Sequence, residues 1–355
     1  MKRFIFLFSL LVALTVSSQE PVEWVGGTEH NFGAFDENIG KVSCQFKFVN
    51  KSRETISVKL VHVTCGCTKS AFENSPVEPG DTGSVDIFYN PEGRPGRFEK
   101  KVLVEFNEIP RKYELNILGT VIGSPKTVGS RFPVEAGPLR LRTSSIAFGE
   151  VTQGRPKTFF LEAYNTTTDT IYPRWENMPD YIKVTSQKDY LAPGEDIAYS
   201  FFLDSEKVPL LGLSTDSIFL STGPTTRVAV PVIVMVKEDF SGLSDKQRRD
   251  APIITTKSAI IDFGTLERTD GKATRTLEIT NRGKDPLLIR RVYTAEDGLD
   301  INVKKNKIKN GDKGTIEVTL DPQAIQGDII NLRLMILSND PQNSSMPVRV
   351  VGQIK

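Results

Sequence analysis

Every cysteine and histidine in the chain lies in one short stretch: His30, Cys44, His62, Cys65 and Cys67. The tightest element is Thr64-Cys65-Gly66-Cys67-Thr68, two thiols separated by one glycine after the expected strand from Ile56 to Val63. In an extended strand residues i and i+2 point the same way, and glycine permits the kink that brings two sulfurs together. Three chemistries compete for this spacing. The first is a disulfide. A Cys65–Cys67 bridge closes a very small ring and is expected to reduce more readily than an ordinary structural bond. Alternatively Cys44 pairs with one of the two and leaves a single free thiol. The second is a metal site drawn from His30, His62, Cys65 and Cys67, since thiolates and imidazoles suit copper or zinc. The spacing is not the Cys-x-x-Cys of the familiar zinc motifs, which weighs against it. The third is thiol exchange or nucleophilic catalysis. Thioredoxin-type enzymes place two residues between their thiols at a helix N-terminus, whereas these thiols follow a strand.

The elements that must position this cluster emerge when the chain is laid on itself. Phe32-Gly33, Phe148-Gly149 and Phe263-Gly264 recur at near-equal intervals. Each is followed by an alternating segment that ends on an asparagine, at Asn50, Asn165 and Asn281. Alternation with period two marks a strand with one face on a core and one toward water. Further on, Pro79-Gly80-Asp81, Pro193-Gly194-Glu195 and Asn310-Gly311-Asp312 supply turns, each opening a strand that closes at Asn90, Asp204 and Asp321. Each copy finishes in a last apolar alternating stretch: Tyr113 to Val121, Thr226 to Val236, and Met346 to Ile354. Short strands, frequent turns and no long helical period indicate an all-β chain of three tandem immunoglobulin-like antiparallel β-sandwiches. Their expected spans are 22–122, 139–237 and 252–355, joined by 123–138 and 238–251. Cys44 occupies the position that Phe159 takes in the second copy, so it reads as a small core residue.

Composition bounds the rest. Hydrophobic residues make up 38% and charged residues 25%, ordinary for globular domains. Lys and Arg number 45 against 44 Asp and Glu, a net charge of +1 that supplies no bulk attraction to nucleic acid. Lys2 and Arg3 precede an apolar run from Phe4 to Val16, and Val16-Ser17-Ser18 offers the small side chains of a cleavage site. Residues 1–18 therefore read as a secretory signal peptide, with Gln19 the mature N-terminus and no membrane insertion after cleavage. No Ser/His/Asp set or glycine-rich phosphate loop is found, so neither an enzyme nor a cofactor is expected. Tyr172, Trp175 and Tyr181 form a candidate aromatic recognition surface, with core packing as the competing role. Asp169-Thr170-Ile171 and Asp216-Ser217-Ile218 resemble O-glycosylation acceptor sites.

His30-x-Phe32-Gly33, the strand ending at Asn50, Cys65-Gly66-Cys67-Thr68 and Pro79-Gly80 at this spacing resemble a bacterial family of unknown function. Its domains are similar to the ASH/Hydin/major-sperm-protein class of immunoglobulin-like modules. The resemblance covers residues 22 to 122 best; the third copy matches in shape without the cysteines, and the second is more divergent. It implies an exported protein of Gram-negative bacteria, periplasmic or at the cell surface, with no established enzymatic activity. The expected function is therefore a non-enzymatic envelope protein that binds or scaffolds protein or glycan partners. The alternative is a periplasmic thiol-redox or metal-handling protein centred on Cys65 and Cys67.

Overall fold

The computed structural model describes residues 20–355; the expected signal peptide lies outside them. The chain is all-β, with six sheets pairing into three sandwiches. The first is built from β1 (Val22–Val25), β2 (Glu29–Asp36), β3 (Val42–Asn50), β4 (Val58–Val63), β5 (Thr68–Phe72), β6 (Thr82–Tyr89), β7 (Gly96–Phe106) and β8 (Tyr113–Ile122). One sheet runs β1-β3-β6-β5 and the other β2-β8-β7-β4. This is the immunoglobulin arrangement, with the first strand split so that its second half joins the last strand of the opposite sheet. That pairing, β2 on β8, is parallel, whereas β3 on β6 and β7 on β8 are antiparallel. Alternation places Phe46 and Phe48 of β3, Val85 and Ile87 of β6, and Val102 and Val104 of β7 in one core between the sheets.

The third sandwich repeats this order. Strands 254–256, 273–281, 313–320 and 299–303 form one sheet, and 260–266, 345–354, 329–338 and 287–294 form the other, with 307–308 added at its edge. In the middle sandwich, strands 146–152, 227–237, 212–221 and 174–176 form one sheet in the corresponding order.

Two sequence repeats have clear structural causes. The glycine of each Phe-Gly pair, at Gly33, Gly149 and Gly264, adopts φ of 71°, 66° and 68°. Each sits at a register shift in the parallel strand pair, where a bulge requires left-handed backbone that a side chain would strain. The strand-ending Asn50, Asn165 and Asn281 are all 0% exposed. The Nδ2 of each donates to a carbonyl four residues on and to a second carbonyl across the sandwich. For Asn50 these are Glu54 O at 2.8 Å and Val77 O at 2.9 Å. Asn165 reaches Asp169 O and Leu191 O, and Asn281 reaches Asp285 O and Ile308 O. The Oδ1 atoms accept from the amides of Ser52, Thr167 and Gly283. A buried amide that uses both its donors and its acceptor ties one turn to the opposite loop, which is why the same residue recurs.

Residues 123–138, read from composition as a linker, are packed. They carry the short helix α1 (Pro125–Val128) and the strand Val134–Ala136. Val128 and Phe132 form a buried cluster with Tyr164, whose Oη accepts from Gly123 N at 2.8 Å. Residues 238–251 carry α2 (Asp245–Asp250), opened by a capping box between Ser244 and Gln247. No helix among the described residues is long and apolar enough to cross a membrane.

Candidate functional site

The thiol motif forms the turn between β4 and β5. These are edge strands of different sheets, so the turn is the point where the chain crosses from one layer of the sandwich to the other. Cys65 and Cys67 are a close pair with their Cα atoms 5.3 Å apart, within the range of disulfides. Backbone bonds fix the turn at both ends. Thr68 N donates to Cys65 O at 3.2 Å, and Asn90 N, just past β6, donates to Cys67 O at 2.8 Å. The sulfurs are unequally placed: Cys67 is 7% exposed and belongs to the core, whereas Cys65 is half-buried at its margin. The buried Thr68 hydroxyl lies 3.4 Å from the Cys65 sulfur and 3.7 Å from that of Cys67.

Cys44 is a free thiol on the core face of β3, opposite Ile87. Burial, helped by the negative charge of Asp86, pushes its pKa up to about 11, so it stays protonated and inert near neutral pH. The histidines go elsewhere. His30 is half-buried with its ring 4.5 Å edge-on to Phe32, and His62 is exposed on β4. Among the described residues no three His, Cys, Asp or Glu side chains converge on a position that could hold a metal ion.

The three aromatic residues of the candidate recognition surface do not share a face. Trp175 turns inward, edge-on to Tyr199 at 5.4 Å and Phe201 at 5.0 Å. Tyr181 is buried and donates its hydroxyl to Asp216, and burial and that carboxylate both raise its pKa. Only Tyr172 is exposed. Strand alternation instead puts Phe160, 62% exposed, and Phe202, 46% exposed, on the outward side of neighbouring strands Lys157–Asn165 and Asp196–Leu203. Phe159-Phe160 and Phe201-Phe202 are doublets, and in a strand one member of any doublet must face out. Of the two acceptor-like motifs, Thr170 is exposed in a loop. Ser217 is exposed within a strand, and its neighbour Asp216 is engaged by Tyr181.

A missed residue of another kind is Glu37, 5% exposed. Its carboxylate accepts from Gly93 N at 2.6 Å, Ser124 N at 2.8 Å and Thr127 Oγ1 at 2.8 Å. Burial pushes its pKa up, but these donors outweigh it and hold the group below the usual glutamate value. A lone acidic residue in a turn gave no sequence signal of this role.

The architecture defines a class: tandem immunoglobulin-like β-sandwiches, the first carrying a thiol turn between its layers. The chain belongs to the family described as "Protein of unknown function (DUF1573)", whose model matches residues 24–121 and 254–354, more than half of the chain. The middle sandwich lies outside both matches. No curated protein matches the chain. Among solved structures, a protein of unknown function from Porphyromonas gingivalis W83 is 19% identical, covering 61% of this chain and 100% of its own, with a TM-score of 0.49. The Dpr2 Ig1-Ig2 complex with DIP-Theta Ig1-Ig3 is 11% identical over 95% of this chain and 100% of its own, TM-score 0.34. Titin domains I67-I69 are 9% identical over 95% of this chain and 100% of theirs, TM-score 0.27. These likenesses are too distant to carry functional argument.

Proposed function

We propose that this protein is a non-enzymatic binding or scaffolding protein, exported to the cell envelope of a Gram-negative bacterium, where its sandwiches contact protein or glycan partners. The observation that carries the reading is the exposed pair Phe160 and Phe202 on one outward sheet face of the middle sandwich. Aromatic side chains left in water on a flat, rigid surface are the usual anchors of an interface, because they bury much area at little entropic cost. Exposed sheet edges, such as β5 and β4 in the first sandwich, offer further docking positions.

The test is in-cell crosslinking in the native host, comparing wild type with Phe160→Ser/Phe202→Ser. The reading expects a defined crosslinked species that is lost or weakened at least tenfold in the double variant. An unchanged crosslinking pattern, with the variant exported and folded, contradicts it.

A further inference from the structure

The thiol turn presents its two sulfurs unequally to solvent and to the protein. Cys65 is half-buried at the margin of the core; Cys67 is buried, 7% exposed, and Thr68, whose hydroxyl lies beside both sulfurs, is 2% exposed. That hydroxyl makes no other side-chain hydrogen bond among the described residues, so it is committed to the pair. A disulfide opens when a thiolate attacks one sulfur in line with the bond and the other departs as a thiolate. The accessible sulfur is the one attacked, and a departing thiolate held by a donor leaves faster.

We propose that Cys65–Cys67 is an exchangeable disulfide that accepts electrons from a dithiol partner, with Cys65 the attacked sulfur and Cys67 the leaving group. The partner's thiolate bonds to Cys65 Sγ, the Sγ–Sγ bond breaks, and its electron pair leaves on Cys67, where Thr68 Oγ1 donates to the new anion. The partner's second thiolate then attacks its own sulfur in the mixed disulfide and releases the Cys65 thiolate. The partner ends as a disulfide, and Cys65 and Cys67 end as thiols after taking up the two protons that the partner's thiols gave up. This chemistry does not depend on the binding surface proposed above.

The other sandwiches show that the bond serves something other than closure of the turn. Gly298 O accepts from Asp321 N at 2.9 Å and Tyr181 O accepts from Asp204 N at 2.9 Å, the same bond that Cys67 O makes with Asn90 N. Cys67, Tyr181 and Gly298 thus occupy one structural position, and two of the three turns close there without sulfur. A bridge spanning a single residue also removes little unfolded-chain entropy.

The test uses the full mature chain, oxidised, with reduced glutathione as probe, acid quenching, alkylation and mass mapping. Glutathione is expected on Cys65 and not on Cys67 during partial reduction, with Cys44 unmodified. Cys67→Ser accumulates the Cys65 adduct on treatment with oxidised glutathione, and Cys65→Ser forms at least tenfold less adduct at Cys67. Thr68→Val slows opening about tenfold, the worth of one hydrogen bond to a charged group, and Thr68→Ser restores it. Equal adducts on both sulfurs, or opening rates unchanged in Thr68→Val, overturn the proposal. If a cysteine variant fails to fold, the adduct map of the wild-type chain and the Thr68 pair still decide.

Discussion

The turns at Cys65–Cys67 in the first sandwich and at Glu296–Gly298 in the third stand at the same corner of the same fold, yet they are held by different means. In the third, Thr294 Oγ1 donates to Glu296 Oε2 at 2.7 Å and Glu296 N donates back to Thr294 Oγ1 at 3.1 Å. Arg333 N also reaches that carboxylate, and Gly298 turns the chain with φ of 89°. In the first, a sulfur pair replaces the carboxylate network, and Cys67 stands where the third sandwich uses a left-handed glycine. The backbone bond to the strand behind is unchanged. The fold therefore asks of this corner only a short turn with one satisfied carbonyl. What fills it is free to vary, and the thiols are a chemical addition to a structural constant.

If so, removing what the two corners share must cost far more than removing what distinguishes them. The buried asparagine clamp is shared. Asn50→Ala and Asn281→Ala each remove a fully buried side-chain amide together with its bonds to two carbonyls and a backbone N–H, at a cost of about 3 kcal/mol. Hydrogen exchange in the strands of the altered sandwich measures it. Losses below about 1 kcal/mol in either one break the equivalence of the two sandwiches.

A smaller contrast lies at Glu37 and Arg268, five residues after Phe32 and Phe263. Glu37 accepts from Gly93 N, whereas Arg268 donates to Ile325 O at 2.8 Å and Gly327 O at 2.7 Å, so the same loop is clasped with opposite polarity. Glu37 has a folded pKa below its unfolded one. Its stabilisation is therefore present above about pH 4.5 and lost as pH falls through the folded value. Acidification is expected to loosen the first sandwich before the third. Glu37→Gln costs about 2 kcal/mol at neutral pH, and the variant converges with wild type in acid. A gap between the two that persists undiminished at pH 3 contradicts the assignment.

Glu296→Ala removes the hydrogen bonds that distinguish the third corner and is expected to cost about 1 kcal/mol, read by the same exchange experiment. The smallest effect concerns Cys44. Because the folded thiol titrates near 11 rather than 9.0, its stabilisation holds below about pH 9 and declines as pH rises toward the folded value. Iodoacetamide at pH 8 leaves Cys44 unmodified in the folded chain; rapid alkylation contradicts its core placement.

The repeats were legible because they arise from backbone demands that few residues meet. Phe-Gly marks a bulge, the strand-ending asparagine marks a clamp, and Pro-Gly-Asp or Asn-Gly-Asp marks a turn. The closeness of Cys65 and Cys67 was legible for the same reason, one glycine between two thiols. Cys44, aligned with Phe159, lies partly buried on the core face of β3. Of Tyr172, Trp175 and Tyr181, weighed between core packing and a recognition surface, alternation and loop geometry send Trp175 and Tyr181 inward and leave Tyr172 exposed. Phe160 and Phe202 carried the opposite lesson, outward residues hidden in apolar doublets. The packing of 123–138 was missed because Gly, Pro and Ser suggest a linker. Val128, Phe132 and the hydrogen bond to Tyr164 depend on tertiary contacts that composition does not reveal.

The claim that the thiols are additions to a fold that does not need them is tested most directly by the stability of the first sandwich in the full chain. Wild type, oxidised, is compared with Cys65→Ser/Cys67→Ser by hydrogen exchange in β3, β6 and β7. The expected loss is no more than about 2 kcal/mol, the most that so small a loop contributes. A loss of several kcal/mol, or a first sandwich that fails to fold, makes the pair structural and contradicts it.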